Sequence, residues 1–320
     1  MRGERFMKIF FLALAVLIIL FLVLLQYFTS SELRKFFGRT EYLEDPTRVT
    51  VYKDNEHYQA REPVSFLSGD NRLQGFIYGS ENNKGLIVVA HGIGAGHESY
   101  IDEIIWFVGR DWRVFAYDAT GSCESEGAGT RGLPQSALDL DHALSFIAED
   151  PDLGTLPVYL FGHSWGGYAV TAVLNYDHDV TASASLAAYS EPMEMMETFV
   201  KGMEGVPTRI IYPFIWLDTY FRFGKNMNLS AYEGVNTSEI PVLIVHGKED
   251  TLIPFNGAAL IAKHDKITNP YVEFLPISRL GLSGHDSIFN AVETNKPLVH
   301  NVNEELMLKI ESFFEEASDE

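Results

Sequence analysis

The sequence predicts an α/β fold with a mostly parallel, doubly wound sheet, an N-terminal antiparallel hairpin, a helical cap insertion and an N-terminal transmembrane helix. Six short apolar runs alternate with stretches of helical character over most of the chain. Runs of consecutive apolar residues are typical of strands that helices cover on both faces, and this alternation is typical of parallel sheets. At 320 residues, the chain can form one large domain with additional segments.

The predicted strands and helices follow one another in a regular order. The runs that predict strands lie at 85–92, 113–119, 157–164, 183–188, 241–247 and 271–276. The stretches that predict helices lie at 98–110, 134–149, 165–176 and 256–264. Before them, residues 63–80 alternate apolar and polar side chains around the turn-forming run Ser68-Gly69-Asp70-Asn71, which predicts a hairpin leading into the sheet.

One interval, from about 190 to 236, departs from this order. It contains many Met and aromatic residues but no strand-like run, which predicts a helical cap insertion above the sheet. Two interpretations remain open: the extra helices simply complete the core, or they form a lid that contacts an apolar substrate. In the second case Met195, Phe199 and Trp216 are the predicted substrate contacts.

Residues 1–30 predict a membrane anchor. Every residue from 9 to 25 is apolar, and a spanning helix needs about 20 such residues with a lower range near 17. A cleaved signal peptide has a shorter apolar region of about 7 to 15 residues. The following residues lack an Ala-x-Ala cleavage pattern, although the small residues Thr29 and Ser31 leave cleavage open as the alternative.

The charges around this segment predict a single-pass protein whose large domain is extracytoplasmic. Arg2, Arg5 and Lys8 precede the apolar run, and basic residues tend to stay on the cytoplasmic side. Basic residues between 34 and 39 act against this orientation. We expect a juxtamembrane connector at 31–61, with an edge strand near 49–52, and one domain at 62–320.

Charge and cysteine content exclude several classes of protein. With 24 basic and 44 acidic residues, the formal net charge of -20 disfavours nucleic acid as a partner, and contact with a membrane must come from apolar segments. The single cysteine, Cys123, cannot form an intrachain disulfide and lacks the strand, sharp turn and paired histidine of a nucleophile. No His-Glu-x-x-His motif or Cys/His cluster predicts a metal site. The sequence does not indicate the oligomeric state.

The run Gly162-His163-Ser164-Trp165-Gly166-Gly167 lies between a predicted strand and a predicted helix. A Gly-x-Ser-x-Gly motif in this context is typical of a nucleophile elbow, in which glycines allow a sharp turn that exposes the serine hydroxyl. Ser164 is therefore the predicted nucleophile. The Trp165 backbone N–H, at the positive end of the helix, is a predicted oxyanion donor.

A second oxyanion donor is expected from the run His91-Gly92-Ile93-Gly94, which closes an earlier strand. Its predicted donor is the Ile93 N–H, with Gly94 as the alternative, and Gly92 and Gly94 are predicted to border the substrate. The same run begins like a dinucleotide-binding motif, but position 97 is His where that motif has its third glycine. Asp118 is expected to cap a loop or to bind backbone amides instead.

The serine requires a base, and ten histidines compete for that role. Histidine suits it because its unperturbed pKa is about 6.5. His285, in a loop after the last predicted strand, is the predicted base; His91, His97 and His246 are secondary candidates. His163 is expected to pack beneath the elbow.

A carboxylate that orients the base should lie between the serine and the histidine in chain order. Asp250, in the run His246-Gly247-Lys248-Glu249-Asp250 directly after a strand, is the predicted acid. Glu249 and Asp286 remain the alternatives.

Three motifs, GHSWGG, HGKEDTLIP and GHD, together make residues 60–318 similar to the α/β-hydrolase superfamily. Within it, HGIGAGH followed by RVFAYDATGSCESEG resembles the serine aminopeptidase S33-like and monoglyceride-lipase-like group, although Cys123 stands where a glycine is expected. The resemblance implies a triad of Ser164, His285 and Asp250, an acyl-enzyme intermediate, and no metal or organic cofactor.

The expected function is hydrolysis of a carboxylic ester, with a lipid-like or acyl-glycerol substrate favoured by the membrane segment and the apolar insertion. A serine peptidase or aminopeptidase of the same fold is the first alternative. A non-catalytic membrane-tethered binding scaffold is the second, because one scaffold of this kind hosts many functions.

Overall fold

The computed structural model describes residues 2–41, 60–203, 205, 207–289 and 302–318. Within these ranges eight strands form one sheet in the order β1-β2-β4-β3-β5-β6-β7-β8. The strands are β1 Arg61–Ser68, β2 Asn71–Tyr78, β3 Leu86–Ala90, β4 Arg113–Tyr117, β5 Val158–His163, β6 Ala182–Leu186, β7 Val242–Gly247 and β8 Val272–Ile277. The predicted edge strand near 49–52 lies outside the described residues.

The helices of the described chain begin with a long N-terminal helix and end with one near the C-terminus. They are α1 Arg2–Phe36, α2 Ile101–Val108, α3 Gln135–Glu149, α4 Trp165–Ala172, α5 Pro192–Gly202, α6 Thr208–Phe223, α7 Ala231–Thr237 and α8 Glu304–Ser318. The helix predicted at 256–264 is instead a 3-10 segment, Leu260–Lys266, that follows a turn in which Gly257 N–H donates to Pro254 O at 2.8 Å.

The sheet has the predicted mixture of strand directions. β1 and β2 form the antiparallel hairpin and β2 pairs antiparallel with β4, while the neighbours from β4 through β3 to β8 are all parallel. The carboxyl ends of β3, β5, β6 and β7 therefore meet at one edge, where the loops that follow them converge. We call this the carboxyl edge of the sheet.

Alternate residues of the central strands feed two apolar cores, one on each face. In β3, Val88 packs with α3, α4 and α7, whereas Ile87 and Val89 pack with α2 and α8 on the other face. All five residues of β3 are buried, as expected for a strand covered on both sides. The sheet is thus doubly wound, and the prediction of an α/β-hydrolase fold with an N-terminal hairpin is confirmed.

The N-terminal helix α1 is longer than the predicted anchor of residues 1–30, because it continues to Phe36. Its apolar part is long enough to cross a membrane and packs against no described part of the chain. Its last turns pack on α6, where the Gln26 side-chain amide donates to the Phe214 carbonyl at 3.2 Å. The helices α5, α6 and α7 occupy the interval where the cap insertion was predicted.

Candidate active site

Ser164 occupies the sharp turn between β5 and α4. Its backbone is in a strained region, with φ 57° and ψ −113°, and such strain persists only where the surroundings enforce it. The flanking glycines make the turn possible: a Cβ on Gly162 would collide with the backbone of Gly166, and one on Gly166 would collide with the carbonyl of Ala90. The serine hydroxyl therefore lies at the carboxyl edge of the sheet, on a rigid backbone.

The three residues predicted as nucleophile, base and acid are connected by hydrogen bonds. His285 Nε2 is 2.9 Å from Ser164 Oγ, and His285 Nδ1 is 2.7 Å from Asp250 Oδ2. A neutral imidazole with its proton on Nδ1 donates to the carboxylate and leaves Nε2 to accept the serine proton. Such a chain of contacts can transfer a proton from Ser164.

Asp250 is buried and surrounded by donors. Its Oδ1 accepts the backbone N–H groups of Leu252 at 2.9 Å and Ile253 at 2.8 Å. Although burial raises the pKa of a carboxyl group, hydrogen bonds from His246 and His285 and from the Ile253 amide hold the pKa of Asp250 far below its usual value. The side chain is therefore a carboxylate at neutral pH.

His246, a secondary candidate for the base, lies under the acid instead. Its Nε2 is 3.3 Å from Asp250 Oδ2 and 2.9 Å from the Ile253 carbonyl. Both neighbours are acceptors, so Nε2 carries the ring proton and supports Asp250. Its Nδ1 is buried without a partner among the described residues. Sequence reasoning missed this supporting role, although the spacing of four residues between His246 and Asp250 across a strand end was visible.

The alternative acids have other surroundings. Glu249 Oε2 accepts the Ser283 hydroxyl at 2.5 Å, which ties the loop after β7 to the loop of the base. Asp286 follows the base in the chain, but the described hydrogen bonds of the His285 ring go to Ser164 and Asp250. Of the three candidate acids, Asp250 is thus the one bonded to His285.

His163 packs beneath the elbow, as its position next to the nucleophile predicted. Its Nδ1 accepts the Tyr100 hydroxyl at 2.9 Å, and its Nε2 donates to the His285 carbonyl at 3.1 Å. The Tyr100 hydroxyl in turn accepts the Gly92 N–H at 2.9 Å. Burial, aided by the neighbouring His285, lowers the pKa of His163 to about 3, so the ring is neutral at pH 7. These bonds connect the Gly92 loop with the loop of the base.

A group with the right atoms for a metal ion also lies here. Ring nitrogens of His163 and His285 and a carboxylate oxygen of Asp286 fall within 4.8 Å of one another. Both nitrogens of His163 already have hydrogen-bond partners, and both nitrogens of His285 contact Ser164 and Asp250. An ion would have to break these bonds, so the arrangement fits proton transfer better than metal binding.

The two predicted oxyanion donors are both available. Trp165 is the first residue of α4, where an N–H has no partner within the helix. Within the described chain the Ile93 N–H likewise donates to no acceptor. The Gly92 loop lies against the elbow, since a Cβ on Gly92 would stand 3.6 Å from Ser164 Cβ, and Gly94 has a positive φ of 75°. The roles of Ile93 and Trp165 stay predictions.

The residues predicted to contact substrate in the cap have different surroundings. Met195 is fully buried in α5, and Phe199 is half-buried with its ring 5.9 Å from that of Phe36 in α1. Trp216 is exposed on α6 and stacks on Tyr220 at 5.4 Å. Their assignment as substrate contacts, like that of Gly92 and Gly94, stays a prediction.

Two further histidines and a carboxylate stabilise loops. His91 Nε2 accepts the Ala119 N–H at 2.9 Å. Asp118 accepts the backbone N–H groups of His97 at 2.9 Å and Glu124 at 3.1 Å. Although burial alone raises the pKa of a carboxyl, the contacts with His97 lower the pKa of Asp118 to about 2. Asp118 thus binds backbone amides rather than a ribose.

Cys123 is buried in the loop that follows β4. Burial raises the pKa of its thiol, with the nearby carboxylates of Asp118, Glu41 and Glu98 adding to the effect. The nucleophilic thiolate is therefore suppressed.

Known proteins with related sequences include hydrolases. Residues 81–218 match the family model of serine aminopeptidase, S33. The chain is 28% identical over 191 residues to the lysophosphatidylserine lipase ABHD12 of Danio rerio, a match that spans 58% of this chain and 48% of that protein. It is 27% identical over 220 residues to the protein YfhR of Escherichia coli O157:H7, across 64% of this chain and 69% of the relative. The chain thus spans about half the length of the zebrafish lipase.

Solved structures show the same fold. The esterase Pf2001 of Pyrococcus furiosus superimposes with a TM-score of 0.63 at 15% identity, covering 87% of this chain and 97% of that one. The acylaminoacyl peptidase of Pyrococcus horikoshii superimposes with a TM-score of 0.57 at 17% identity, covering 80% of this chain and 41% of that one. The solved structures thus show that the chain has the α/β-hydrolase fold, and residues 81–218 are similar to the serine aminopeptidase S33 family.

Proposed function

We propose that this chain is a membrane-anchored serine hydrolase that cleaves carboxylic esters through an acyl-enzyme intermediate. The observation that carries the proposal is the hydrogen-bonded chain from Asp250 through His285 to Ser164 at a strained turn. Nucleophile, base and orienting acid in mutual hydrogen-bond reach are the signature of activated-serine chemistry.

In the first half of the reaction, Ser164 Oγ attacks the ester carbonyl carbon while His285 Nε2 takes the hydroxyl proton. The carbonyl π electrons move to the oxygen, and the resulting oxyanion accepts hydrogen bonds from the Ile93 and Trp165 N–H groups. Asp250 stays ionised and stabilises the imidazolium. Collapse of the tetrahedral intermediate expels the alcohol, which takes the proton from His285 Nε2.

In the second half, water attacks the acyl-enzyme with the same groups in the same roles. His285 removes a proton from the water, the acyl–Oγ bond breaks, and Ser164 recovers its proton from His285. The products are a carboxylic acid and the alcohol released earlier. No redox step is involved, so the side chains and amides named here suffice for the mechanism.

A lipid-like ester, such as an acyl glycerol or a lysophospholipid, is the proposed substrate class. Three observations support it: the apolar N-terminal helix, the Met- and aromatic-rich cap helices, and the similarity to a protein described as a lysophosphatidylserine lipase. An amphiphile partitions into membranes, and an enzyme anchored there meets it at high local concentration.

A peptidase of the same fold is the second candidate, favoured by the match of residues 81–218 to a serine aminopeptidase family. The same triad can attack an amide. The esterase and the peptidase therefore differ in the group that leaves, which is an alcohol in the first and an amine in the second. An aminopeptidase must also bind a free α-amino group, and turnover that depends on this group would distinguish it from an esterase.

The test is a substrate panel on the purified full-length chain in mixed micelles. We expect monoacylglycerols and lysophospholipids to be hydrolysed faster than short water-soluble esters and aminoacyl anilides. Ser164→Ala should lower turnover by at least about 10³-fold without a change in circular dichroism. Equal turnover by Ser164→Ala would refute the serine mechanism, and faster anilide cleavage would favour the peptidase.

Membrane attachment through α1 and an extracytoplasmic domain are part of the proposal. Mass spectrometry of the membrane-extracted protein should find residues 1–30 still attached, whereas a mature chain beginning after about residue 30 would indicate a cleaved signal peptide. In sealed vesicles of known orientation, protease should digest the large domain from the extracytoplasmic side. Digestion from the cytoplasmic side alone would indicate that the large domain is cytoplasmic.

A further inference from the structure

The helix α6 carries an outer face that is almost entirely apolar. It is formed by Ile210, Pro213, Trp216, Tyr220 and Phe221. We propose that this face, the outer face of α6, lies in a phospholipid bilayer beside α1, so that the cap is a second membrane-contacting element. This contact between α6 and the bilayer does not depend on the proposed catalytic activity.

The exposure of these side chains is the first argument. Phe221 is 77% exposed and Ile210 57% exposed, and Trp216 stacks on Tyr220 above the helix surface. A helix between a core and water normally presents charged or polar residues outward. An outward face of this composition is instead typical of helices that lie in the interfacial region of a membrane, where Trp and Tyr are enriched.

The charges of α6 do not change this conclusion. The helix contains Arg209, Asp218 and Arg222 as its charged residues, and the last two form an ion pair with an N–O distance of 2.7 Å. Asp218 is buried, so this pair lies on the inner side. Arg209, near the start of the helix, is exposed, and its long side chain can extend along the helix to bring the guanidinium to the lipid headgroups.

The contact with α1 is the second argument. Gln26 bonds to the Phe214 carbonyl, and further along both helices Leu33 and Phe37 share a small cavity with Thr219 and Phe223. Residue numbers rise together along the contact, so the two helices run in the same direction.

The membrane boundary follows from this alignment. Gln26 directly follows the apolar run 9–25, which places Phe214 at the membrane surface. The six residues that precede Phe214 in α6 span about 9 Å at 1.5 Å per residue. This distance carries the start of α6, including Ile210, to the level of the last apolar turns of α1. Trp216, Tyr220 and Phe221 follow Phe214 and lie about 3 to 10 Å from it on the headgroup side, in the interfacial region of the bilayer.

Hydrogen bonds between the residues after α1 and the loop after β4 are the third argument. Just after α1, Gly38 pairs with Gly129 and Thr40 with Ser122 as isolated β-bridges. Between them, the Arg39 guanidinium donates to the carbonyls of Cys123, Ser125 and Gly127. The end of α1 is thus fixed to the loop after β4, and the orientation of the domain relative to the bilayer is fixed with it.

The membrane contact has a consequence for how a lipid substrate reaches the domain, and this consequence rests on the proposed esterase function. With the cap against the bilayer, a lipid ester would reach the domain from the membrane without crossing bulk water. The membrane contact itself is independent of any substrate and can be tested without one.

The direct test uses the fluorescence of Trp216 in full-length chain reconstituted into phosphatidylcholine vesicles. The chain has four tryptophans, none in α1, and Trp112 and Trp165 are fully buried. We expect acyl-chain bromination of the lipid to quench the emission. Trp216→Phe should remove most of this quenching, and the matched control Trp106→Phe should retain it.

Quenching that persists unchanged in Trp216→Phe, or no quenching by brominated lipid, would overturn the proposal. In that case, strong quenching of Trp216 by aqueous acrylamide would indicate a water-facing cap. Bifunctional thiol cross-linking of Phe221→Cys into a dimer would indicate that a second copy of the chain covers the face.

A second test connects the contact to turnover. Phe221→Asp should slow hydrolysis of a vesicle-borne ester by about tenfold, since a carboxylate is unfavourable in the interface, and should leave a water-soluble short ester unaffected. The matched control is Leu308→Asp, an exposed apolar residue of α8. Equal loss on both substrates would contradict the proposal. If the wild-type chain hydrolyses neither ester, the proposed function fails while the fluorescence test still decides the contact.

Discussion

The carboxyl edge of the sheet and the outer face of α6 differ in which side chains they bury and which they expose. At the carboxyl edge, polar side chains are buried and are matched by donors and acceptors, as Asp250 is by Leu252, Ile253 and His285. On α6, apolar side chains are exposed, and no described part of the chain covers them. The first arrangement is stable in a closed interior, and a non-aqueous environment would stabilise the second. The proposed catalytic site therefore contains buried polar groups with hydrogen-bond partners, whereas the proposed membrane contact consists of exposed apolar side chains.

Two buried carboxyl groups differ in the hydrogen bonds that they accept. Asp250 accepts hydrogen bonds from two histidines and from backbone amides and has a lowered pKa. Burial, with the nearby Asp102 adding to the effect, raises the pKa of Glu103 to about 8 against a single opposing backbone hydrogen bond. Glu103 Oε1 has no partner among the described residues. Donors, rather than depth, therefore decide which carboxyl group is charged at neutral pH.

The largest expected effect comes from removing the charge of Asp250, the proposed orienting acid. Asp250→Asn should lower kcat by about 10⁴-fold, because an amide presents a donor to His285 and stabilises the wrong tautomer. Hydrolysis of a short ester at pH 8 measures it. The matched control, Glu249→Gln, should keep most activity; a silent Asp250→Asn would move the acid to Glu249 or Asp286.

The elbow itself should be intolerant of added volume. Gly166→Ala should lower the free energy of unfolding by about 3 kcal/mol, since the new methyl group would overlap the Ala90 carbonyl. Gly202→Ala is the control, because no atom lies within 4 Å of the added carbon. Denaturant unfolding in detergent measures both, and equal stabilities would contradict the close packing of the turn.

Glu103 should make stability depend on pH in the opposite direction to Asp250. Its folded pKa is raised to about 8, so between its unfolded value of about 4.3 and 8 the native state holds a proton that the unfolded state releases. Stability therefore falls as pH rises through this interval. Asp250 contributes stability above its ordinary pKa, and this contribution is lost as pH falls.

Glu103→Gln should thus stabilise the chain by at least about 2 kcal/mol at a pH near 8.5 and change little at a pH near 4. Chemical denaturation at both pH values measures the difference. The exposed Glu149→Gln is the control and should show no such dependence. A stabilisation that is equal at both pH values would mean that Glu103 is not protonated in the native state.

The smallest expected effect is on α6. Phe221→Ser should change the free energy of unfolding by less than about 0.5 kcal/mol, because Phe221 is exposed. By contrast, Phe161→Ser, in a fully buried strand position, should cost about 4 kcal/mol. Thermal unfolding in one detergent compares them. A large loss at Phe221 would show that the face packs against protein.

Local patterns were sufficient to predict the sheet, the hairpin and the elbow. Ser164, Asp250 and His285 were predicted to act together from their order along the chain, and in the fold they are connected by hydrogen bonds. These features could be predicted because each depends on a strand end followed by a loop, and the carboxyl ends of parallel strands meet at one edge.

Features that depend on tertiary contacts were not predicted. His246 was considered only as a base, because the sequence does not show that its ring turns under Asp250. The last turns of α1, which continue to Phe36, pack against α6, and the sequence does not show this contact. Since α6 is apolar on nearly all sides, its pattern could not distinguish an inward Trp216 from an outward one.

A fluorophosphonate probe on the full-length chain measures whether His285 activates Ser164. We expect one covalent adduct, mapped by mass spectrometry to the peptide containing Ser164. Labelling should be lost in Ser164→Ala and should be at least about 10³-fold slower in His285→Ala. An unlabelled wild-type chain, or labelling that survives Ser164→Ala, would show that Ser164 is not an activated nucleophile.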